Sequence, residues 1–145
     1  MKILIVEDDH LQVDLIRARL QSAITHLGVR VVSTESEFRA RLSEIEADTP
    51  DVIVMDVMLR WADPEPELKR PPKDIHDEGY YRAGLRCQRL LAERERTRNV
   101  PVILYTVLDR NDLAETIASL PSNVIHIGKW TPESLVTEIR RLTRR

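Results

Sequence analysis

The chain has 145 residues, with 22 basic against 24 acidic side chains and a formal net charge of −2, which gives no global attraction to nucleic acid or an anionic membrane. At 42% hydrophobic and 32% charged it has the make-up of a soluble globular domain, and its apolar runs are too short for a membrane span or a signal-peptide core. Cys87 stands alone, which excludes an internal disulfide framework and a cysteine-rich zinc site, so the cytoplasm is the expected compartment.

The chain opens MKILIVEDDH, and KILIV (2–6) predicts a strand covered on both faces. It runs directly into Glu7, Asp8 and Asp9, and carboxylates crowded at a partly desolvated strand end demand a compensating charge. Residues 11–27 carry Leu11, Leu15, Ile16, Ala18, Leu20, Ala23 and Leu27 at helical spacing, with Gly28 in a C-cap position. VRVVS (29–33) predicts a second strand. Thr34 and Glu37 form a capping box that opens a helix with Phe38, Leu42 and Ile45 inward. VIVM (52–55) is the third strand and ends at Asp56.

The composition then shifts. Four prolines fall between Trp61 and Pro72 and charges continue to Glu78, a stretch read as neither a regular helix nor a central strand. A third helix is expected around Tyr80 to Arg96, and VILYT (102–106) is the fourth strand. Asp109 can cap a helix from about Asn111 to Leu120, where Pro121 stops it. VIHI (124–127) is the fifth strand; Thr131 as N-cap and Pro132 at the first position start a last helix with Leu135, Ile139 and Leu142 inward. Four of the last six residues are arginines, read as a solvated helix end or as the start of a linker.

Five strands alternating with five helices predict an α/β fold, a doubly wound parallel sheet in one domain over 1–145. The segment at about 60–79 is an insertion between the third strand and the third helix, far longer than an ordinary βα loop. In such a sheet the carboxyl ends of the strands share one edge, where ligands bind. Glu7 and Asp8 follow the first strand, Asp56 follows the third, Thr106 closes the fourth and Lys129 follows the fifth. Clustered carboxylates suit a hard, oxygen-seeking cation such as Mg²⁺, and Lys129 supplies a second positive charge. Taken singly, each of these residues has a plainer role as a cap, a turn former or a solvated loop side chain. Their convergence on one edge is what those roles do not explain.

LIVEDD (4–9), VIVMD (52–56), VILYT (102–106) and IGK (127–129) resemble, in order and spacing, the response-regulator receiver domain of two-component signalling. The resemblance covers the chain except for the proline-rich stretch. It implies a flavodoxin-like strand order 2-1-3-4-5 and a phosphoacceptor at Asp56. It also implies Asp8 as the direct metal ligand, Glu7 holding the metal through water, and the backbone carbonyl of Met58 as a further metal oxygen. Thr106 resembles the hydroxyl that turns toward the phosphoryl group, and Lys129 the ammonium that pairs with it. Asp9 is left to cap the first helix. The implied donor is a phosphohistidine on a histidine kinase or phosphotransfer protein, and the chain would catalyse only its own phosphorylation and dephosphorylation. The output would be a switched surface for a downstream protein or a second copy, formed by the last two helices and the fifth strand or by the insertion.

The chain departs from that pattern in places. Arg60 stands where the family has a proline, four residues after Asp56. Lys129-Trp130 replaces a Lys-Pro pair, and the bond is expected to be trans, since a non-proline cis bond costs about 2.5–4 kcal/mol. The insertion reads either as a charge-rich solvated segment or as a lid or recognition arm anchored by Trp61, Tyr80 and Tyr81. His126 occupies the family's aromatic switch position, and two readings stand: a solvent-facing strand residue, or a polar, pH-sensitive substitute. Met58 and Leu108 flank the family's path of hydrolytic water, and their apolar character implies a long-lived phosphorylated form. Two other functions remain: a pseudo-receiver that binds partners without phosphorylation, and an aspartyl phosphatase, for which Met58 replaces the usual second acid.

Overall fold

A computed structural model describes residues 1–64 and 70–144; part of the expected insertion, 65–69, lies outside them. Five strands, β1 (Lys2–Val6), β2 (Gly28–Val32), β3 (Val52–Met55), β4 (Val102–Thr106) and β5 (Val124–Gly128), form one parallel sheet in the order β2-β1-β3-β4-β5. All four residues of β3 and all five of β4 are buried, as expected for strands covered on both faces. Their alternate side chains feed two cores. One holds Leu4, Val6, Ile53, Met55, Leu104 and Phe38; the other holds Ile3, Ile5, Val54, Ile103, Leu135 and Ile139.

Seven α-helices cover the faces of the sheet among the described residues: α1 (His10–Ala23), α2 (Glu35–Ala40), α3 (Leu42–Ala47), α4 (Lys73–Glu78), α5 (Ala83–Ala92), α6 (Ala114–Ser119) and α7 (Glu133–Thr143). Asp9 caps α1, its carboxylate accepting from the Leu11 and Gln12 N–H groups. The inward stripe of α1 is Val13, Ile16 and Leu20, whereas Leu11 and Leu15, expected inside, are exposed on the neighbouring face. Gly28 does not cap this helix. It begins β2 paired with Lys2, and the left-handed residue in the turn is His26 at φ 55°. The single helix expected after Thr34 is broken at Arg41 (φ −97°, ψ 4°) into α2 and α3, with Phe38, Leu42 and Ile45 buried as expected. The capping box is present in a shifted form: Thr34 Oγ1 accepts from the Glu37 N–H at 3.2 Å, and Glu37 reaches back to the Ser33 N–H at 2.9 Å.

The insertion is expected to hold no regular helix, but once its prolines are passed Lys73–Glu78 forms α4. Ile75 is buried, and α4 packs against a 3₁₀ turn (Tyr80–Arg82) that leads into α5. A buried ion pair ties this segment down: Arg86 on α5 donates to Glu35 at the start of α2 at 2.6 and 2.9 Å, and to the Gly79 carbonyl at 2.9 Å. The helix over 111–120 is shorter than expected, because Asp109 and Asp112 close a turn on each other's N–H groups before α6 begins. Thr131 does not cap α7 through its side chain; its hydroxyl donates instead to the Gly128 carbonyl at 3.1 Å. No helix among the described residues is long and apolar enough to cross a membrane.

Candidate functional site

The backbone ladder continues one residue past three of the strands, and this extension places the site. The Glu7 N–H donates to the Val32 carbonyl at 3.0 Å, Asp56 to Val6 at 2.9 Å, and Lys129 to Thr106 at 2.9 Å. Each of these side chains therefore starts at the same carboxyl edge of the sheet. From the end of β5, beyond β4, the long stem of Lys129 brings its ammonium to the ends of β3 and β1, donating to Asp56 Oδ2 at 2.8 Å and to both Glu7 oxygens at 3.2 Å. Glu7 and Asp56 are buried, at 3% and 6% exposure, so two carboxylates share one cation away from bulk water. Burial first, and then the charge of Asp56, pushes the Glu7 carboxyl up to about 8, with Lys129 opposing the rise. For Lys129 burial favours the neutral amine, but Asp56 and Glu7 outweigh it and raise the ammonium above its ordinary value.

The second oxygen of Asp56 accepts from the Met58 N–H at 3.2 Å, which orients the carboxylate. Asp8 is differently engaged. Its Oδ2 accepts from the Arg60 backbone N–H at 3.0 Å and from Nε at 3.4 Å, while Arg60 Nη2 donates to the Asp8 carbonyl at 3.1 Å. The expected metal donors Glu7, Asp8, Asp56 and Met58 thus lie on adjoining loops but do not converge into one shell. Among the described residues no group of three or more His, Cys, Asp or Glu is placed to hold a metal. The physical reason is that Lys129 lies across Glu7 and Asp56 while Arg60 holds Asp8.

The donor chemistry nonetheless fits a divalent ion. Counted as fully ionised, three carboxylates against one ammonium leave two formal negative charges, the ligands are all oxygens, and the Arg60 side chain is half exposed.

Thr106 is fully buried and its hydroxyl accepts from the Leu108 N–H at 3.3 Å. His126 Nε2 bonds the Leu108 carbonyl at 3.0 Å, so the expected switch pair, Thr106 and His126, is joined through a single residue. His126 is half-buried rather than solvent-facing. The Lys129–Trp130 bond is trans, as expected, and the exposed Trp130 ring lies over Gly128 and edge-on to His126 at 6.5 Å. Tyr80 and Tyr81 do not anchor the insertion through their rings, which stack on each other and stay exposed. Here the Tyr80 residue is tied through its backbone, its carbonyl accepting from the Leu59 N–H at 3.2 Å.

Sequence reasoning missed Gly84. A Cβ there would lie 2.1 Å from the Asp56 carbonyl oxygen and 2.8 Å from the Val57 Cα, so α5 packs directly against the backbone that presents Asp56. Gly84→Ala is expected to destabilise the protein by about 1–3 kcal/mol through overpacking, although alanine is the better helix former. An unchanged urea midpoint would show that the helix can retreat freely. Its signal was available only as a glycine inside a helical pattern.

No family model matches the chain, and no curated protein matches it. Solved structures do. A signal receiver domain of a histidine kinase from Syntrophus aciditrophicus is 26% identical, covering 98% of this chain and 89% of that one, with a TM-score of 0.67. The fold is that of a signal receiver domain. The receiver domain of a sensor histidine kinase from Pseudomonas aeruginosa, with a magnesium ion coordinated in its active-site cleft, is 22% identical over 98% of this chain and 96% of that one, with a TM-score of 0.68. A histidine-kinase receiver domain from Clostridium thermocellum is 14% identical over 99% and 98%, with a TM-score of 0.73. The receiver fold and its strand order therefore agree with the sequence resemblance, across nearly the whole of each chain.

Proposed function

We propose that the chain is a phosphorylatable receiver whose Asp56 accepts a phosphoryl group from a histidine kinase or histidine phosphotransfer protein, in the cytoplasm. The observation that carries this reading is Lys129 Nζ bridging Asp56 and Glu7 at 2.8 and 3.2 Å. Asp56 Oδ1 or Oδ2 forms the new P–O bond as the P–N bond to the donor imidazole breaks, giving an acyl phosphate and a free histidine. Such a transfer asks for positioning and charge neutralisation more than for acid–base help. Lys129 lies beside the acceptor for that purpose, and Thr106 ends the neighbouring strand β4. Mg²⁺ held by Glu7, Asp8, Asp56 and the Met58 carbonyl would supply further neutralisation of the phosphoryl oxygens, as the magnesium-bound receiver relative suggests. The chain acts on no separate substrate and catalyses only its own phosphorylation and dephosphorylation.

Turning toward the new phosphate takes the Thr106 hydroxyl away from the Leu108 N–H, which frees Leu108 and with it the partner of His126. The α6–β5–α7 surface then shifts between two populations and is read by a downstream protein or a second copy. The apolar Met58 and Leu108 keep water from the acyl phosphate and lengthen its life.

The Arg60–Asp8 contact favours a second reading, a pseudo-receiver that binds partners unmodified. One experiment separates them. With a small phosphodonor and Mg²⁺, intact-mass measurement is expected to show one added phosphoryl group in the parent and none in Asp56→Ala. No adduct in either protein selects the pseudo-receiver.

A further inference from the structure

Arg60 is the chain's own departure at the site, and its surroundings give it a role. Its backbone is fixed: the Arg60 carbonyl accepts from the Glu35 N–H at 3.0 Å, and the next carbonyl, of Trp61, accepts from Ser36 at 2.8 Å. Both donors lie at the N-terminus of α2, which ties the loop's backbone to that helix. Only the side chain is free to move. It is 52% exposed, while the Asp8 side chain beneath it is 20% exposed.

We infer that Arg60 is an internal counter-cation: its guanidinium and N–H occupy Asp8 Oδ2 in the resting protein, and a divalent ion binds at this edge only by displacing the guanidinium. This inference rests on the receiver reading, and it names the residue that sets that site's metal threshold.

Formal charge supports the exclusion. Counted as fully ionised, Glu7, Asp8 and Asp56 against Lys129 leave two negative charges, which one dication cancels. With Arg60 also in place only one remains, so a dication is attracted less strongly and sits beside a like-charged guanidinium. Geometry agrees, because the Asp8 oxygen that already takes two donors from Arg60 has little capacity left for a metal. Linkage makes the competition reciprocal: whatever the Arg60–Asp8 contact contributes to the empty site is subtracted from ion affinity. The backbone donor remains after displacement, so the guanidinium alone sets the penalty. The resting chain would then accept phosphate only where the divalent ion is abundant enough to evict it.

The test uses the full chain and Mn²⁺ followed by electron paramagnetic resonance, alongside Mg²⁺ calorimetry. Arg60→Ala is expected to bind either ion about five- to tenfold more tightly than the parent, the range for one partly exposed charge-assisted pair. Arg60→Lys is expected to fall between them, because lysine keeps the charge without the fork. Melting supplies a readout that a merely structural arginine would not reproduce. Arg60→Ala should melt below the parent without metal, and saturating Mg²⁺ should close that gap. Equal or weaker ion affinity in Arg60→Ala overturns this inference while leaving the receiver reading standing. Absence of ion binding in every variant overturns both.

Discussion

Stability of the metal-free protein is expected to fall as pH rises from about 4.5 to about 8, because the Glu7 carboxyl is pushed from 4.5 to about 8 on folding. Within that window the folded chain holds a proton on Glu7 that the unfolded chain has released, so raising the pH favours unfolding. The penalty is absent below the lower value and complete above the upper one. A displacement of that size corresponds to a loss on the order of 4 kcal/mol across the window. Lys129 does not blur the result, since its raised value places its own loss of stabilisation at higher pH. Chemical unfolding of the parent and Glu7→Gln at several pH values measures the effect. The two proteins should be similar near pH 4.5 and diverge toward pH 8, with the glutamine variant the more stable. Mg²⁺ should flatten the parent's curve and leave the variant's almost unchanged. Parallel curves would mean that Glu7 is not held in the buried pair.

Removing Arg86 is expected to be as damaging as any single change on the other side of the molecule. Glu35 is 1% exposed and Arg86 7% exposed, and the guanidinium meets the carboxylate through two hydrogen bonds. Breaking a buried pair from one side strands the remaining charge, which typically costs about 3–5 kcal/mol. Arg39 touches the same Glu35 oxygen at 3.1 Å from a more exposed position, so Arg86→Ala should fall at the lower end of that range. The double variant Glu35→Leu with Arg86→Met should recover most of the loss, since neither charge is then left alone. Hydrogen exchange should also quicken over 73–82 in Arg86→Ala, because the Gly79 carbonyl loses its donor. A loss below about 1 kcal/mol would show that Arg39 alone suffices.

The strands were legible because a segment buried on both faces has little choice but to be apolar, and each observed strand lies within a residue of its run. Helix faces were harder. Leu11 and Leu15 sit four apart and look like a stripe, yet the core takes Val13, Ile16 and Leu20, one of several apolar faces that α1 offers. The short α4 was hidden because KDIHDE carries a single buried apolar residue, Ile75, among charges. At the site, residue types at strand ends located Glu7, Asp56, Thr106 and Lys129 on one edge, since the parallel sheet dictates where its carboxyl ends meet. Side-chain partners were not legible. Nothing in the spacing says that Asp8 turns to Arg60 instead of toward Asp56, because that choice depends on which cation lies nearer in space. A basic residue four places after Asp56, close to three acids, was the available signal. The Glu35–Arg86 pair joins residues 51 apart and had none.

The central claim is that Asp56, with Lys129 and Glu7 around it, is the residue that takes up phosphate. Borohydride reduction of the protein after treatment with a small phosphodonor and Mg²⁺ tests it directly, because an aspartyl phosphate is reduced to homoserine, which peptide mass spectrometry can place in the chain. Homoserine at position 56, absent when the donor is omitted, is the expected result. Homoserine at position 8 or 9 instead, or no reduced residue in a protein that demonstrably binds Mg²⁺, would contradict it.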